Sequence, residues 1–269
     1  MLTYRDLVNA FTRLEIPRVT PVIIHSSLSS LGSVNGGART VVGAILAAWS
    51  QVLMPAFTYR TMLVPEQGPP NNGLRYGSGK EANRLNTPFH PDLPVDRSVG
   101  AVAETLRNLP GSLRSSHPLL SFTGMNAQPF LDAQNLQEPL GPLRLLHEQA
   151  GWVILLGVDH TANTSIHLAE RLAGRKEFIR WAALPSKVVE CYNIPGCADG
   201  FLKAASLLEP VTRSVPLGNT WLQALPLKEM IPLLVVRIKR DPFALLCDRP
   251  DCERCQAVRT IIRHRAGGH

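Results

Sequence analysis

Short apolar runs alternate with amphipathic stretches along the first part of the chain. Residues 3–15 repeat apolar side chains with helical spacing and predict an amphipathic helix that ends before Pro17. The β-branched run 21–25 predicts a strand, residues 38–49 have helical periodicity, and residues 51–57 predict a second strand. A strand, a helix and a strand in this order predict a βαβ unit and hence a parallel sheet.

The same alternation continues through the rest of the chain. Residues 63–94 are dense in Gly, Pro and Asn without a period, which predicts a long surface excursion. The further predicted elements are a helix at 99–109, a loop entering a strand at 114–124, a helix at 141–149, a central strand at 151–158, a strand and turn at 188–201, and a mainly helical stretch at 226–246. We therefore expect one α/β domain over 1–269, with a central, mostly parallel sheet flanked by helices and a cysteine-rich tail at about 241–269.

The composition is that of a globular protein. Of 269 residues, 45% are hydrophobic and 18% are charged, which disfavours a disordered chain. No stretch reaches the roughly 18 apolar residues that a membrane span needs. The N-terminal residues lack the basic-then-apolar layout of a secretion signal. We expect a soluble, cytoplasmic protein that does not bind membranes.

The net charge of +7 favours an anionic partner. A phosphorylated cofactor needs only a local basic patch, whereas nucleic acid binding is typical of basic runs or of stripes with interleaved aromatics. The Lys and Arg residues here are scattered, so we expect no nucleic acid partner. A non-catalytic nucleotide-binding or nucleic-acid-binding protein remains the weaker alternative.

A loop rich in serine and glycine follows the first predicted strand. This loop, "HSSLSSLGSVNGGART", occupies residues 25–40 and leads into a helix. Backbone amides and a helix N-terminus attract anions, which suits a phosphate or pantetheine ligand. The loop matches neither the P-loop pattern nor GxGxxG. A serine-rich turn that merely caps the helix remains open.

A second group of polar residues follows the predicted central strand, in "HTANTSIHLAE". Asn163 or Thr164 can cap a helix on which His167 and Glu170, three residues apart, share one face. A carboxylate beside an imidazole fixes the tautomer and stabilises the imidazolium, so the pair can act as a general base. His160 is expected in the loop at the carboxyl end of the sheet, where α/β proteins bind ligands. An ordinary half-buried histidine paired with a surface glutamate remains open.

A metal-dependent hydrolase is an alternative enzyme class for this segment. Asp159, His160 and His167 would then be the metal ligands. Their spacing fits no common zincin pattern, which disfavours this hypothesis.

Three cysteines crowd into "CDRPDCERC" near the C-terminus. Cys247, Cys252 and Cys255 give the spacing C-x4-C-x2-C, and either Cys191 or Cys197 could complete a tetrahedral four-thiolate zinc site. Free thiols and a disulfide remain open. The site would be structural, because four thiolates leave no open coordination position.

Several separated segments together resemble the antibiotic N-acetyltransferase family, the aminoglycoside 3-N-acetyltransferases and their relatives. The segments are "HSSLSSLGSVNGGARTVVGAIL", "MPAFTY", "RSSHPLLSF", "EPLGPLRLLHEQAGWVILLGV" and "NTSIHLAE". The resemblance runs from about residue 3 to about residue 205. It implies an α/β fold distinct from that of the GNAT enzymes. It also implies acetyl-coenzyme A as cosubstrate and acetyl transfer to an amine of an aminoglycoside-type antibiotic, a resistance reaction.

The resemblance also implies roles for individual residues. His167 would be the general base, Glu170 its orienting carboxylate, and His25 would lie near the reacting centre. Contacts with coenzyme A would come from Ser26, Ser27, Leu28, Gly36, Gly37, Thr40, Arg114, Ser115 and His117. Contacts with the acceptor would come from Tyr59, Asp96, Glu104, His160 and Asn163.

The positive net charge of the chain is unfavourable for binding a polycationic acceptor. There are 28 Lys and Arg residues against 21 Asp and Glu, which suits coenzyme A better than a polyamine drug. Another small-molecule amine is therefore an alternative acceptor. The oligomeric state is left open between a monomer and a homodimer.

Overall fold

The computed structural model describes residues 1–77 and 79–266. The last three residues of the predicted tail, 267–269, and residue 78 of the predicted excursion lie outside these ranges. The strands are β1 (Val22–Ser26), β2 (Val52–Pro55), β3 (Met62–Leu63), β4 (Leu113–Arg114), β5 (Phe122–Met125), β6 (Trp152–Leu156), β7 (Phe178–Ala183), β8 (Val188–Ile194), β9 (Arg213–Leu217) and β10 (Thr220–Pro226). The helices are α1 (Tyr4–Thr12), α2 (Gly37–Ala48), α3 (Gly79–Ala82), α4 (Ala101–Arg107), α5 (Gln128–Asp132), α6 (Gly141–Glu148), α7 (Ile166–Leu172), α8 (Ala205–Leu208), α9 (Leu227–Arg240) and α10 (Glu253–Ala266).

The main sheet has seven strands in the order β4-β5-β2-β1-β6-β10-β9. The three central strands β2, β1 and β6 are parallel, and the outer pairings are antiparallel. Following these pairings outwards, β4 and β9 run in the same direction as the central three strands. Parallel strands require crossover connections, and α2 provides the one between β1 and β2. The predicted α/β class and the predicted βαβ unit are confirmed.

Both faces of the sheet are buried under helices. Along β1 the side chains alternate, so Ile23 faces one apolar cluster while Val22 and Ile24 face the other. The first cluster includes α6, α7 and α9, and the second includes α1, α2 and α4. A strand buried on both faces reads as a continuous apolar run, which explains "VIIH" and "WVILL".

The sequence patterns predicted β8, within the strand and turn at 188–201, but not β7, β9, β10 or α10. β3, β7 and β8 form a separate antiparallel sheet, with β3 contributed by the predicted excursion. β9 and β10 form a hairpin that pairs with β6. The described part of the cysteine-rich tail contains α10. Within the described ranges, no helix has the length and apolar content that crossing a membrane requires.

Candidate active site

The carboxyl ends of β1 and β6 lie side by side, and the end of β1 and the segments that follow both strands line a cleft. Parallel pairing aligns Ser26 with Leu156, and the Ser27 amide donates to the Leu156 carbonyl over 3.0 Å. The chain after β1 forms a 3-10 turn at Ser29–Leu31, and the chain after β6 leads into α7. Two loops that are far apart in sequence therefore meet at one edge of the sheet, where α/β folds bind ligands.

The cleft has a volume of about 1130 Å³. This exceeds the upper end of the usual range for a pocket holding one small molecule, about 1,000 Å³. Its apolar wall includes Phe57, Met62, Leu119, Leu120, Val158 and Ile194. The volume is sufficient for two ligands to bind side by side.

A buried chain of three side chains ends in this cleft. His167 Nδ1 lies 2.6 Å from Glu170 Oε2, and Arg175 donates to Glu170 Oε1 over 2.6 Å. The Glu170 and Arg175 side chains are only 7% and 5% exposed, so water screens their attraction poorly. His167 lines the cleft. Because Nδ1 is hydrogen-bonded to Glu170, Nε2 is the ring nitrogen that is free to accept a proton from a bound ligand.

Neighbouring groups hold the His167 ring and the Glu170 carboxylate in place. The Phe201 ring packs against the imidazole with centroids 4.7 Å apart at 62°. Arg175 also donates to the carbonyls of Pro242 and Ala244, which ties the guanidinium to the segment after α9. The ring orientation and the ion pair are therefore set before any ligand binds.

His25 and Ser26, at the end of β1, bring buried polar atoms to the cleft wall. Among the described residues, neither His25 Nε2 nor Ser26 Oγ has a hydrogen-bond partner. Burial lowers the pKa of His25 to about 3, so its imidazole is neutral at physiological pH. Unpartnered buried polar atoms are costly in folded proteins, and at a cleft wall they indicate a site for polar ligand groups.

Positive charge dominates the polar part of the cleft wall. Arg97, Arg180 and Arg254 line it, and Asp199 is the one carboxylate in the wall formed by the described residues. Asp199 also forms an ion pair with Arg249 over 3.0 Å. These arginines carry no signal in the sequence, because they lie far apart along the chain and only the fold brings them together.

Several residues implied by the family resemblance do line the cleft. Ser26, Ser27 and Leu28 form its wall after β1, and Tyr59 contributes from the opposite side. The Ser27 hydroxyl accepts bonds from the Ser30 amide and hydroxyl, which stabilises the turn.

The other residues expected to contact coenzyme A lie outside this wall. The Thr40 side chain packs against Gly36, and a Cβ atom at position 36 would lie 2.3 Å from Thr40 Oγ1. Gly37 is the first residue of α2. The glycines are needed because both have positive φ, 77° and 59°. The structure thus gives Gly36, Gly37 and Thr40 a role in starting α2 and does not place them in the cleft.

Arg114, Ser115 and His117 also serve the fold. Arg114 donates to the carbonyls of Pro91, Leu93 and Ala56 and to the Ser121 hydroxyl. Ser115 donates to the Gln134 side chain, and His117 Nδ1 accepts from the amides of Leu119 and Leu120. Burial lowers the pKa of His117 to about 4. Their polar groups hold the loop beside β5 and do not line the cleft.

The two acidic residues expected at the acceptor are engaged elsewhere. Asp96 accepts from the Tyr59 amide and from Arg60 Nε. Burial opposes the ionisation of Glu104, but hydrogen bonds from Arg107 and the Val95 amide lower its pKa to about 2. Neither carboxylate lines the cleft, so the expected acidic surface for a cationic acceptor is not formed by these residues.

His160 and Asn163 lie behind the wall. His160 is 4% exposed and Asn163 is fully buried, and their side chains approach each other to 3.5 Å. Asn163 Oδ1 accepts from the Ser165 amide and so supports the start of α7. The segments that do line the cleft here are Thr161, Ala162 and Thr164.

The alternative metal site at Asp159, His160 and His167 is not formed. Among the described residues, the one group of His, Cys, Asp or Glu side chains able to hold a metal consists of Cys197, Cys247, Cys252 and Cys255. Asp159 instead accepts from the amide and hydroxyl of Thr161. The metal-dependent hydrolase hypothesis is therefore wrong for these ligands.

The structure also decides between the two cysteines that the sequence left open. Cys197 belongs to the thiol group, whereas Cys191, on β8, is buried in the apolar cluster that includes α6, α7 and α9. Burial raises the pKa of the Cys191 thiol to about 12. Cys191 is therefore removed from the expected metal ligands, and Cys197 is the fourth candidate ligand.

Two curated proteins show similarity over much of the chain. The SPbeta prophage-derived aminoglycoside N(3')-acetyltransferase-like protein YokD of Bacillus subtilis is 30% identical over 178 residues, 62% of this chain and 64% of that protein. Aminoglycoside N(3)-acetyltransferase IV of Salmonella sp. is 28% identical over 257 residues, 90% of this chain and 89% of that protein.

Solved structures show the same fold. The apoenzyme of aminoglycoside acetyltransferase AAC(3)-IVa has a TM-score of 0.76 at 25% identity, covering 96% of this chain and 97% of that one. AAC-IIIb, solved as a binary complex with CoASH, has a TM-score of 0.71 at 22% identity, covering 88% and 96%. At that lower identity the likeness shows the fold alone.

The family described as aminoglycoside 3-N-acetyltransferase matches residues 23–231. This range includes the cleft loops after β1 and β6 and all of α7, and it excludes most of the cysteine group. The chain belongs to the aminoglycoside 3-N-acetyltransferase family of acyltransferases.

Proposed function

We propose that the protein is an acetyl-coenzyme A-dependent N-acetyltransferase and that His167 is its general base. One observation carries the proposal: the buried His167–Glu170–Arg175 chain ends in a cleft large enough for two substrates. Family membership supports acetyl transfer as the reaction class. The binding of CoASH by AAC-IIIb, a protein of the same fold, supports the acetyl donor.

The proposed chemistry is a direct transfer within a ternary complex. His167 Nε2 takes a proton from the acceptor amine while the amine nitrogen attacks the thioester carbonyl carbon. The new C–N bond replaces the C–S bond, and the leaving thiolate receives the proton that His167 took from the amine, which gives free coenzyme A. Glu170 stabilises the imidazolium during this step, and Arg175 holds the Glu170 carboxylate in position. Holding both substrates in one cleft supplies much of the rate enhancement.

The donor is expected to lie along the loop after β1. Ser26, Ser27 and Leu28 line the cleft there, and the unpartnered His25 Nε2 and Ser26 Oγ offer polar contacts. Because His25 is neutral, it can donate or accept a hydrogen bond near the thioester without adding a charge.

The acceptor is proposed to be an amine of an aminoglycoside-type antibiotic, as the names of the relatives suggest. The cleft charges favour a second candidate, an amine that also carries an anionic group. Arg97, Arg180 and Arg254 outnumber the single lining carboxylate of Asp199, and coenzyme A phosphates need not occupy all three. Like charges in one cleft disfavour a polycation.

Thiol release tests the proposal. Purified protein and acetyl-coenzyme A are mixed with one amine at a time, and the release of free thiol is followed. The amines are 2-deoxystreptamine antibiotics, monoamines without other charged groups, and amino acids. Amine-dependent release supports the acetyltransferase, and the most rapidly acetylated class decides between the two acceptors. Release no faster than in the absence of protein, for every amine, would overturn it.

A further inference from the structure

Four cysteines from two distant parts of the chain meet beside the cleft. The Sγ atoms of Cys197, Cys247, Cys252 and Cys255 all lie within 4.8 Å of one another, and all four residues are buried. None forms a disulfide. We propose that these thiols bind a structural zinc ion that fixes one wall of the cleft.

The geometry and the donor set fit zinc. A tetrahedral site with Zn–S bonds of about 2.3 Å places its sulfur atoms roughly 3.8 Å apart. This distance is compatible with the four Sγ atoms, which all lie within 4.8 Å of one another. A donor set of four soft thiolates favours Zn²⁺ over Mg²⁺ or Ca²⁺. Binding releases the four thiol protons and changes no oxidation state. The site is closed, so the ion has a structural role.

The surroundings of the thiols complement the charge of such a centre. Four thiolates around Zn²⁺ carry a net charge of −2. The Asp199 amide donates to Cys197 Sγ over 3.4 Å, which is a common way for the backbone to support a thiolate ligand. Arg259 donates to the Cys247 carbonyl, and Lys203 donates to the neighbouring Leu246 carbonyl over 2.9 Å. Arg259 places a positive charge beside the site, whereas the charge of Lys203 is paired with Asp248 over 2.6 Å.

The apolar core that packs against α10 is small. The apolar cluster beneath it has eight buried members, and four of them are the cysteines themselves. The others are Phe178, Leu246, Ala257 and Val258. So small a core gives limited stabilisation, and small domains of this kind commonly use a metal instead.

The metal-binding segments are also cleft walls. Arg254 lies between Cys252 and Cys255 and lines the cleft, as do Gly196 and Asp199 on either side of Cys197. Arg254 donates to the Gly196 carbonyl over 3.2 Å, which joins the two segments. The zinc ion would thus keep the Arg254 guanidinium facing the substrates. This positioning role rests on the proposed acetyltransferase function, whereas the metal site itself does not.

Metal content tests the site directly. We expect about one zinc ion per chain in protein purified without chelators, measured by inductively coupled plasma mass spectrometry. Cys252→Ala and Cys255→Ala should each lose most of this zinc. The matched control, Cys191→Ala, removes a buried thiol outside the group and should retain it. Stoichiometric iron, or less than about a tenth of a zinc ion per chain, would overturn the proposal.

Cobalt substitution keeps the test valid if the cysteine variants misfold. Wild-type protein refolded with Co²⁺ should show the visible absorption of a tetrahedral tetrathiolate centre, and Zn²⁺ should abolish it. An octahedral spectrum, or no thiolate charge-transfer band, would overturn the four-cysteine assignment.

The positioning role needs a separate readout. In zinc-loaded protein, Arg254→Gln should raise the KM of a substrate about tenfold and change kcat much less, since a rim contact contributes to binding more than to chemistry. Zinc removal should likewise raise KM and change kcat much less. If Arg254→Gln leaves both constants unchanged while zinc content is normal, the positioning role is wrong and the metal site stands. Failure of acetyl transfer altogether would refute the proposed function and leave the zinc measurement intact.

Discussion

The replacement Glu170→Gln examines the carboxylate that links His167 to Arg175. Glutamine has nearly the shape of glutamate but carries no charge. In the native protein Glu170 Oε2 lies 2.6 Å from His167 Nδ1, and Oε1 accepts from Arg175 over 2.6 Å. The variant keeps the packing, removes the charge that stabilises the imidazolium, and leaves Arg175 without its buried anion.

Two effects of different size should result. The contribution of a positioned general base is about 10²–10⁴-fold in rate, and we expect most of it to be lost. Removing one partner of a buried ion pair costs about 3–5 kcal/mol of unfolding free energy. The carbonyls of Pro242 and Ala244 still accept from Arg175, so we expect a loss near the lower figure.

Steady-state acetyl transfer and urea unfolding separate these effects. The double variant Glu170→Gln with Arg175→Met removes both charges, so it should regain much of the stability and none of the rate. If the double variant regains the wild-type rate, the loss in Glu170→Gln came from destabilisation and the base assignment is refuted.

Glu138→Gln is the matched control. Glu138 is another carboxylate, and it accepts from Arg171 over 2.7 Å at a position 39% exposed. Because water screens this pair, its loss should cost less than about 1 kcal/mol. The transfer rate should stay close to that of the wild type.

Two further predictions concern stability and pH. Burial lowers the pKa values of His25 and His117 to about 3 and about 4, so the unfolded chain binds protons more readily than the folded chain below about pH 6.5. Unfolding free energy should therefore fall as pH drops from 6.5 towards 3, by up to about 1.4 kcal/mol per pH unit for each histidine, and a flat profile in urea titrations would contradict this. Burial raises the pKa of Glu177 from its ordinary 4.5 to about 7, so the free energy of unfolding falls as pH rises from about 4.5 to 7 and the carboxyl ionises in the folded protein. Glu177→Gln should stabilise the protein at pH 8 by about 1 kcal/mol, allowing for solvent screening, and by less at pH 5; equal effects at both pH values would contradict that cause.

The central part of the fold could be predicted from sequence because its signals are local. The continuous apolar runs of β1 and β6 indicate strands buried on both faces, and a helix between β1 and β2 predicts parallel pairing. The β9–β10 hairpin was missed because its polar and apolar residues do not alternate cleanly. Helix α10 was missed because its sequence is mostly polar, with few apolar positions facing the core.

The candidate site was only partly accessible to the same reasoning. His167 and Glu170 are one helical turn apart, so their contact follows from local geometry. Arg175 completes the chain from beyond the end of α7, where spacing gives no signal. Polar residues such as Arg114 and Asn163 resemble ligand contacts in sequence, yet the fold uses them to satisfy buried carbonyls and amides.

The most direct test of the proposed mechanism is the acetyl transfer rate of His167→Ala at saturating acetyl-coenzyme A and amine. Circular dichroism and zinc content should match the wild type, because His167 is not one of the four proposed zinc ligands. We predict a fall in kcat of about 10²–10⁴-fold. A kcat equal to that of the wild type, with both substrates still bound, would contradict the assignment of His167 as the base.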